Sequence, residues 1–216
     1  MMDTATRTVF VVDDTREVRV ALSRVLSAAG YQVRSFESAE QFLEEQDGEA
    51  PGCLLLDMCM PGMSGLDVQR SLADSADGRP IVFLTGHGDI QTSVQAMKVG
   101  AVDFLTKPID DARLFAAVDQ ALQLDFAARN QRAIRREIEK RLEDLTPRER
   151  QVMDQVIRGR LNKQIAADLG IGEKTVKVHR ARVMAKMDVR SVAELVQLAS
   201  RVGAAKEVDA SQIAQG

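Results

Sequence analysis

Four short apolar runs punctuate the first half of the chain: Val9-Phe10-Val11-Val12, Cys53-Leu54-Leu55-Leu56, Ile81-Val82-Phe83-Leu84 and Val102-Asp103-Phe104-Leu105. Runs this short, rich in β-branched residues and separated by stretches of helical period, read as buried strands of a parallel sheet. With one more polar candidate, the predicted strands are Thr8–Val12, Gln32–Phe36, Cys53–Asp57, Ile81–Thr85 and Val102–Thr106. Between the first two, Val18, Leu22, Val25, Leu26 and Ala29 fall at the spacing of a helix facing a sheet. Gly30 closes that helix as a C′ glycine. Ser38-Ala39-Glu40-Gln41 opens a second helix like a capping box, and Ile90, Val94 and Met97 mark another.

The last helix of this half (Leu114, Val118, Ala121, Leu122) has no signal to stop, because residues 110–144 contain neither Gly nor Pro. Ile134, Ile138, Leu142 and Leu145 continue an apolar stripe between charged flanks. That pattern suits a helical connector, either pairing as a short coiled coil or standing as a plain linker helix. Thr146-Pro147-Arg148-Glu149 then restarts a helix, with Thr146 as N-cap, Pro147 at N1 and Glu149 completing a capping box. Four short helices follow. Val152, Met153, Val156 and Ile157 mark the first, and Ile165, Ala166 and Leu169 the second. Val176, Val183 and Met187 mark the third; Val192, Leu195, Val196 and Ala199 the fourth.

The resulting organisation is a domain over residues 1–125, a helical linker over 126–145, an all-α domain over 146–203 and a disordered tail over 204–216. The composition, 45% hydrophobic and 28% charged, is that of an ordinary globular protein. No apolar run approaches the roughly 20 residues of a membrane span, and the N-terminus has no apolar signal segment. Cys53 and Cys59 form neither a disulfide framework nor a metal-ligand pattern, which fits a cytoplasmic setting without membrane attachment. The net charge of −3 conceals a division, −10 over residues 1–125 against +7 over residues 126–216. An acidic, cation-binding half joined to a half that meets nucleic acid is the physical reading of that asymmetry.

Polar residues at the downstream strand ends sharpen it. In an open α/β sheet the ligand cleft lies outside the carboxyl ends of the strands. Asp13 and Asp14, Asp57, Thr85 and Lys107 all stand at such ends. A carboxylate can attack a phosphoryl group to give an acyl phosphate. That step needs a hard cation on carboxylate oxygens and further groups on the phosphate. Lys107 would face the phosphate as a point charge, and Thr85 would donate its hydroxyl.

Residues 7–125 resemble the receiver domain of a two-component response regulator. The resemblance rests on Asp13-Asp14, the run Leu56-Asp57-Met58-Cys59-Met60-Pro61-Gly62-Met63-Ser64-Gly65, Leu84-Thr85-Gly86 and Lys107-Pro108. It implies an α/β fold, a flavodoxin-like five-stranded parallel sheet in order 2-1-3-4-5. It implies Asp57 as phosphoacceptor, with Mg²⁺ (Mn²⁺ as a substitute) on Asp14, Asp57 and the Cys59 backbone carbonyl, and Asp13 acting through water. Thr85 and Phe104 become a paired switch, with Lys107 on the phosphate and a cis peptide bond at Lys107-Pro108. Cys59 and His87, two residues after the phosphoacceptor and after Thr85, occupy positions that tune phosphate lifetime.

In the basic half, Asn162–Leu169 and Glu173–Lys186 flank Gly170-Ile171-Gly172 as a helix-turn-helix. Lys174, Thr175, Lys177, His179, Arg180 and Arg182 crowd the polar surface of the second of these helices, which suits it to a major groove. Leu145–Arg150, Asn162–Ala166 and Lys174–His179 resemble the LuxR-type helix-turn-helix of the NarL/FixJ group. This implies Lys177 and Val178 as base readers, with His179, Arg180, Arg182 and Lys163 nearer phosphates. It also implies a dimer contact at Val192, Leu195, Val196 and Ala199, and a structural ion pair for Glu149.

The reading is a regulator rather than an enzyme. A sensor histidine kinase phosphorylates Asp57, and the phosphorylated homodimer binds double-stranded promoter DNA, with RNA polymerase as a further partner. One rival is an Asp-nucleophile phosphohydrolase fused to a basic appendage; it would need an acid/base carboxylate beside Asp57 and a substrate-binding cap, and Met58-Cys59 after Asp57 supplies no acid. Another is a DNA-binding protein whose receiver answers a partner instead of phosphate.

Overall fold

A computed structural model describes residues 8–45, 47–48, 50–74, 78–86 and 99–203. The helix expected around Ile90–Met97, His87 and the tail after Gly203 lie outside the described residues. The chain divides into two compact units, Met1–Asn130 and Gln131–Gly216.

The first unit holds five parallel strands, β1 (Thr8–Val12), β2 (Gln32–Phe36), β3 (Cys53–Asp57), β4 (Ile81–Thr85) and β5 (Asp103–Thr106), in the order β2-β1-β3-β4-β5. Four strands have the predicted bounds. The fifth starts one residue later, at Asp103, the ladder partner of Val82, although the Val102 amide already donates to the Ile81 carbonyl at 2.8 Å. Helices α1 (Arg16–Ala28), α2 (Ala39–Glu45) and α3 (Gly65–Asp74) alternate with the strands.

Period-two alternation deals the strand residues to two cores. Val9, Val11, Leu55, Val82, Leu84 and Leu105 pack with Leu22, Leu26, Leu114 and Val118, on α1 and the last helix. Phe10, Val12, Leu54, Leu56 and Phe83 pack with Phe42, Val68 and Leu72, on α2 and α3. Burying each such side chain contributes roughly 1.5–3 kcal/mol, which is why β1, β3 and β4 are apolar on both faces. β2, with Gln32 and Arg34 exposed, is the polar edge.

Helix α4 runs unbroken from Asp111 to Glu143, 33 residues, as the absence of Gly and Pro predicts. Asp110 caps it by accepting the Arg113 amide at 3.0 Å. Near the end of the first unit, buried Asp125 accepts the Gly52 amide at 2.9 Å and pairs with Arg129, which donates to the Ala50 carbonyl at 2.8 Å.

The second unit contains the rest of α4 with α5 (Pro147–Ile157), α6 (Asn162–Leu169), α7 (Glu173–Lys186) and α8 (Val192–Arg201). The apolar stripe of the connector is consumed here. Ile138 and Leu145 are buried in this core, and Ile134 and Leu142 pack against it. The capping box at Thr146 forms as predicted, with the Glu149 amide on Thr146 Oγ1 at 3.3 Å and the Thr146 amide on Glu149 Oε2 at 3.0 Å. Gly170 ends α6 in the left-handed region at φ 63°. No helix among the described residues is long and apolar enough to cross a membrane.

Candidate functional site

The carboxyl ends of β1 and β3 bring Asp13, Asp14 and Asp57 together, with one carboxylate oxygen from each within 4.8 Å of the others. Asp13 and Asp57 are buried and Asp14 is exposed. The loop after β1 is tightly held. The Thr15 amide donates to Asp13 Oδ1 at 2.9 Å, and Arg19 Nη1 donates to the backbone carbonyls of Asp13 at 2.7 Å and Asp14 at 2.9 Å. Arg19 was not foreseen from sequence. Its only signal is a cation in the first turns of α1, where the helix dipole disfavours one.

Lys107 follows β5 and points its ammonium into the cluster, 2.6 Å from Asp13 Oδ2 and 2.8 Å from Asp57 Oδ2. Burial alone would lower the Lys107 pKa; the bonds to Asp13 and Asp57 outweigh it and raise the pKa above its ordinary value. The Lys107-Pro108 peptide bond is cis, as the resemblance implied. Thr85, at the end of β4, is buried, and its carbonyl accepts the Lys107 amide at 2.6 Å. Phe104 is half-buried, its ring 6.4 Å from that of Phe83. Cys59 is exposed and its amide donates to Asp57 Oδ1 at 3.3 Å. The other cysteine, Cys53, is buried, and burial pushes its thiol pKa up. His87 lies outside the described residues.

Three clustered carboxylates at one exposed opening are a hard-oxygen donor set, suited to Mg²⁺ with waters retained. A like-charged cluster of this kind repels itself until a cation neutralises it. Lys107 does part of this, and a divalent ion beside exposed Asp14 would complete it.

In the second unit, α7 turns Val176, Val183 and Met187 into the core and leaves Lys174, Thr175, Lys177, Val178 and Arg182 exposed. Val178 stands out, an apolar side chain 46% exposed among cations. Lys163 is exposed on α6. Arg180 is half-buried and donates to Asn162 Oδ1 at 3.0 Å, a partner sequence reasoning missed. His179 is also half-buried, and its Nδ1 has no hydrogen-bond partner among the described residues.

The expected dimer contact needs correction. Leu195 and Ala199 are fully buried in the unit's own core, and Val192 packs against it. Of the expected set only Val192 and Val196 keep partial exposure, whereas Ala193, Glu194, Gln197, Ser200 and Arg201 form the exposed side of α8. Glu149 is buried and pairs with Lys186 Nζ at 2.7 Å, supplying the structural ion pair that the resemblance implied. The Lys186 hydrogen bond and the Thr146 amide hold the Glu149 pKa down at about 2.

Comparison with known proteins accounts for both units. Residues 9–119 match the response regulator receiver domain family, and residues 143–199 match the bacterial regulatory proteins of the luxR family. The chain is 45% identical over 194 residues to the response regulator protein TodT of Pseudomonas putida F1, covering 90% of this chain and 86% of TodT. It is 41% identical over 195 residues to the transcriptional regulatory protein FixJ of Bradyrhizobium diazoefficiens, covering 90% and 95%. The solved structure of the response regulator StyR superposes with a TM-score of 0.83 at 50% identity, covering 90% of this chain and 98% of StyR.

Proposed function

The chain belongs to the NarL/FixJ-type response regulators, two-component transcriptional regulators that join a receiver to a LuxR-type helix-turn-helix domain, and on that premise we propose that Asp57 is its phosphoacceptor and that phosphorylation drives promoter binding. The observation that carries the reading is the convergence of Asp13, Asp14, Asp57 and Lys107 at one cleft.

The Asp57 carboxylate attacks the phosphorus of a phosphohistidine on a sensor kinase. An O–P bond forms, the P–N bond breaks, and the electron pair returns to the imidazole. Asp14, Asp57 and the Cys59 carbonyl would hold Mg²⁺, with Asp13 acting through water. When bound, Mg²⁺ (or Mn²⁺) neutralises charge on the phosphate oxygens and on the carboxylates. Lys107 exchanges carboxylate oxygens for phosphoryl oxygens, and the Thr85 hydroxyl donates to the same group. Phe104, half-buried beside Phe83, turns inward as Thr85 is drawn over. Cys59 and His87 set how easily water reaches the acyl phosphate.

The phosphorylated receiver favours a homodimer, and two copies of α7 then engage a two-fold half-site pair. Lys177 and Val178 read base edges, while Lys163, Lys174, Thr175, His179, Arg180 and Arg182 hold the backbone. RNA polymerase is the further partner of a promoter-bound regulator.

The test is intact-protein mass after incubation with Mg²⁺ and acetyl phosphate, beside Asp57→Asn. A single phosphoryl adduct, absent in the variant and blocked by EDTA, is the expected result. A folded wild-type protein without an adduct overturns the reading.

A further inference from the structure

Helices α4 and α7 end beside each other, and each lends a cation to the other's terminal carbonyl. Arg141, in the last turn of α4, donates through Nη1 to the carbonyl of Met187, the C-cap of α7, at 3.0 Å. Lys186, the last residue of α7, donates through Nζ to the carbonyl of Asp144, just beyond α4, at 2.9 Å.

A helix C-terminus carries unsatisfied carbonyls and the negative end of the dipole. Two such ends repel unless cations stand between them. Here both cations are exchanged, and both are braced again. Glu137 accepts Arg141 Nε at 3.0 Å, and Asp188 lies 3.6 Å from Arg141 Nη1. Buried Glu149 accepts Lys186 at 2.7 Å. The bonds end on backbone carbonyls, so a displacement of α4 pulls on the main chain of the recognition helix, not on a mobile side-chain tip. Helix α4 begins in the first unit at Asp111 and ends in the second at Glu143, so it is the helix that the two units share.

We propose that Arg141 and Lys186 form a clasp through which the connector helix positions the recognition helix, making Arg141 a positioning residue for phosphorylation-dependent DNA binding. The proposal rests on the reading of Asp57 and α7 given above. Arg141 touches neither phosphate nor DNA; it acts through Met187.

The test uses the full chain and a DNA duplex recovered from random sequence by binding to the wild-type protein. Affinity is measured with and without Mg²⁺ and acetyl phosphate for wild type, Arg141→Met and Arg141→Lys. Coupling between sites is typically worth a roughly 5–150-fold change in affinity, so Arg141→Met is expected to shrink the phosphorylation-induced gain at least about fivefold. Its adduct yield on Asp57 stays at the wild-type level, and Arg141→Lys keeps most of the gain. A structural role alone would lower the affinity of both states by the same factor and leave the gain intact, which overturns the clasp. A wild-type chain with no adduct, or an adduct without gain, overturns the functional reading and the clasp together. A second measurement needs no variant: hydrogen exchange at the amides of Val183–Val189 in the wild-type chain changes on phosphorylation, and identical exchange in the two states overturns the proposal.

Discussion

Lys107 and Asp57 meet at 2.8 Å although β4 lies between their strands. The Lys107 side chain spans the end of β4, where Thr85 sits, and reaches Asp57 off β3 and Asp13 off β1 together. One ammonium thus ties three strand ends into a single electrostatic unit. A phosphoryl group on Asp57 would draw Lys107 onto its oxygens and leave Asp13 without its ammonium partner.

Lys107→Met should destabilise the protein in EDTA. Its removal leaves Asp13, 0% exposed, and Asp57, 4% exposed, as uncompensated neighbours. Deleting one partner of a buried pair costs about 3–5 kcal/mol, and the partial exposure of the lysine reduces this to about 2 kcal/mol. Mg²⁺ should restore more stability to the variant than to wild type. Thermal melts with EDTA and with Mg²⁺ check this; equal melting temperatures in EDTA would sink it.

Gly65→Ala should damage both stability and phosphorylation. A Cβ at position 65 would stand 2.7 Å from the Asp57 carbonyl oxygen, 3.0 Å from a Phe83 ring carbon and 3.2 Å from the Met58 Cα. Two of those three atoms are backbone and cannot swing aside. Overpacking of this kind costs about 1–3 kcal/mol, and here the displaced main chain carries Asp57, the proposed phosphoacceptor. A urea midpoint lower than wild type, with a reduced adduct yield in Mg²⁺ and acetyl phosphate, is expected; a wild-type yield would show that the loop accommodates the methyl.

The strands were legible because a sheet buried on both faces leaves runs such as Cys53–Leu56 with no other plausible place. The acidic cleft was legible for the same reason, since strand ends locate their polar residues. Contacts to backbone carbonyls were not. Arg19 on Asp13 and Asp14, Arg141 on Met187 and Lys186 on Asp144 depend on where main chains meet, and no spacing encodes that. Leu195 and Ala199 show a different limit. Their periodicity marks an apolar face but is silent on whether it faces the unit's own core or a second copy, and the structure puts both at 0% exposure in the core.

On α7, phosphate-gripping and base-reading residues should separate by salt dependence. Arg182→Ala removes an exposed cation and should weaken binding evenly across sequences, lowering the slope of log affinity against log salt by about one. Val178→Ala leaves that slope unchanged and shifts sequence preference, because an apolar side chain suits a thymine methyl. Binding titrations over a salt series on matched and single-substituted duplexes distinguish the two; a Val178→Ala variant with unaltered preference would remove it from the reading face.

Glu149 gives the second unit a pH dependence of definite sign. Its hydrogen bonds to Lys186 and the Thr146 amide hold its pKa at about 2 in the folded chain, against an ordinary 4.5. Below 4.5 the unfolded chain binds a proton that the folded chain still refuses, so stability falls with pH across that window. The contribution is complete above the ordinary value and disappears as pH drops through about 2. Glu149→Gln keeps the shape and the acceptor for the Thr146 amide but loses the charge that Lys186 faces. Its melting temperature should lie several degrees below wild type at neutral pH, with the gap closing steadily as pH falls below the ordinary carboxylate value. Other carboxylates titrate alike in both proteins and cancel in the difference. A gap that is constant down to the acid limit would mean that Glu149 stabilises this unit through shape alone.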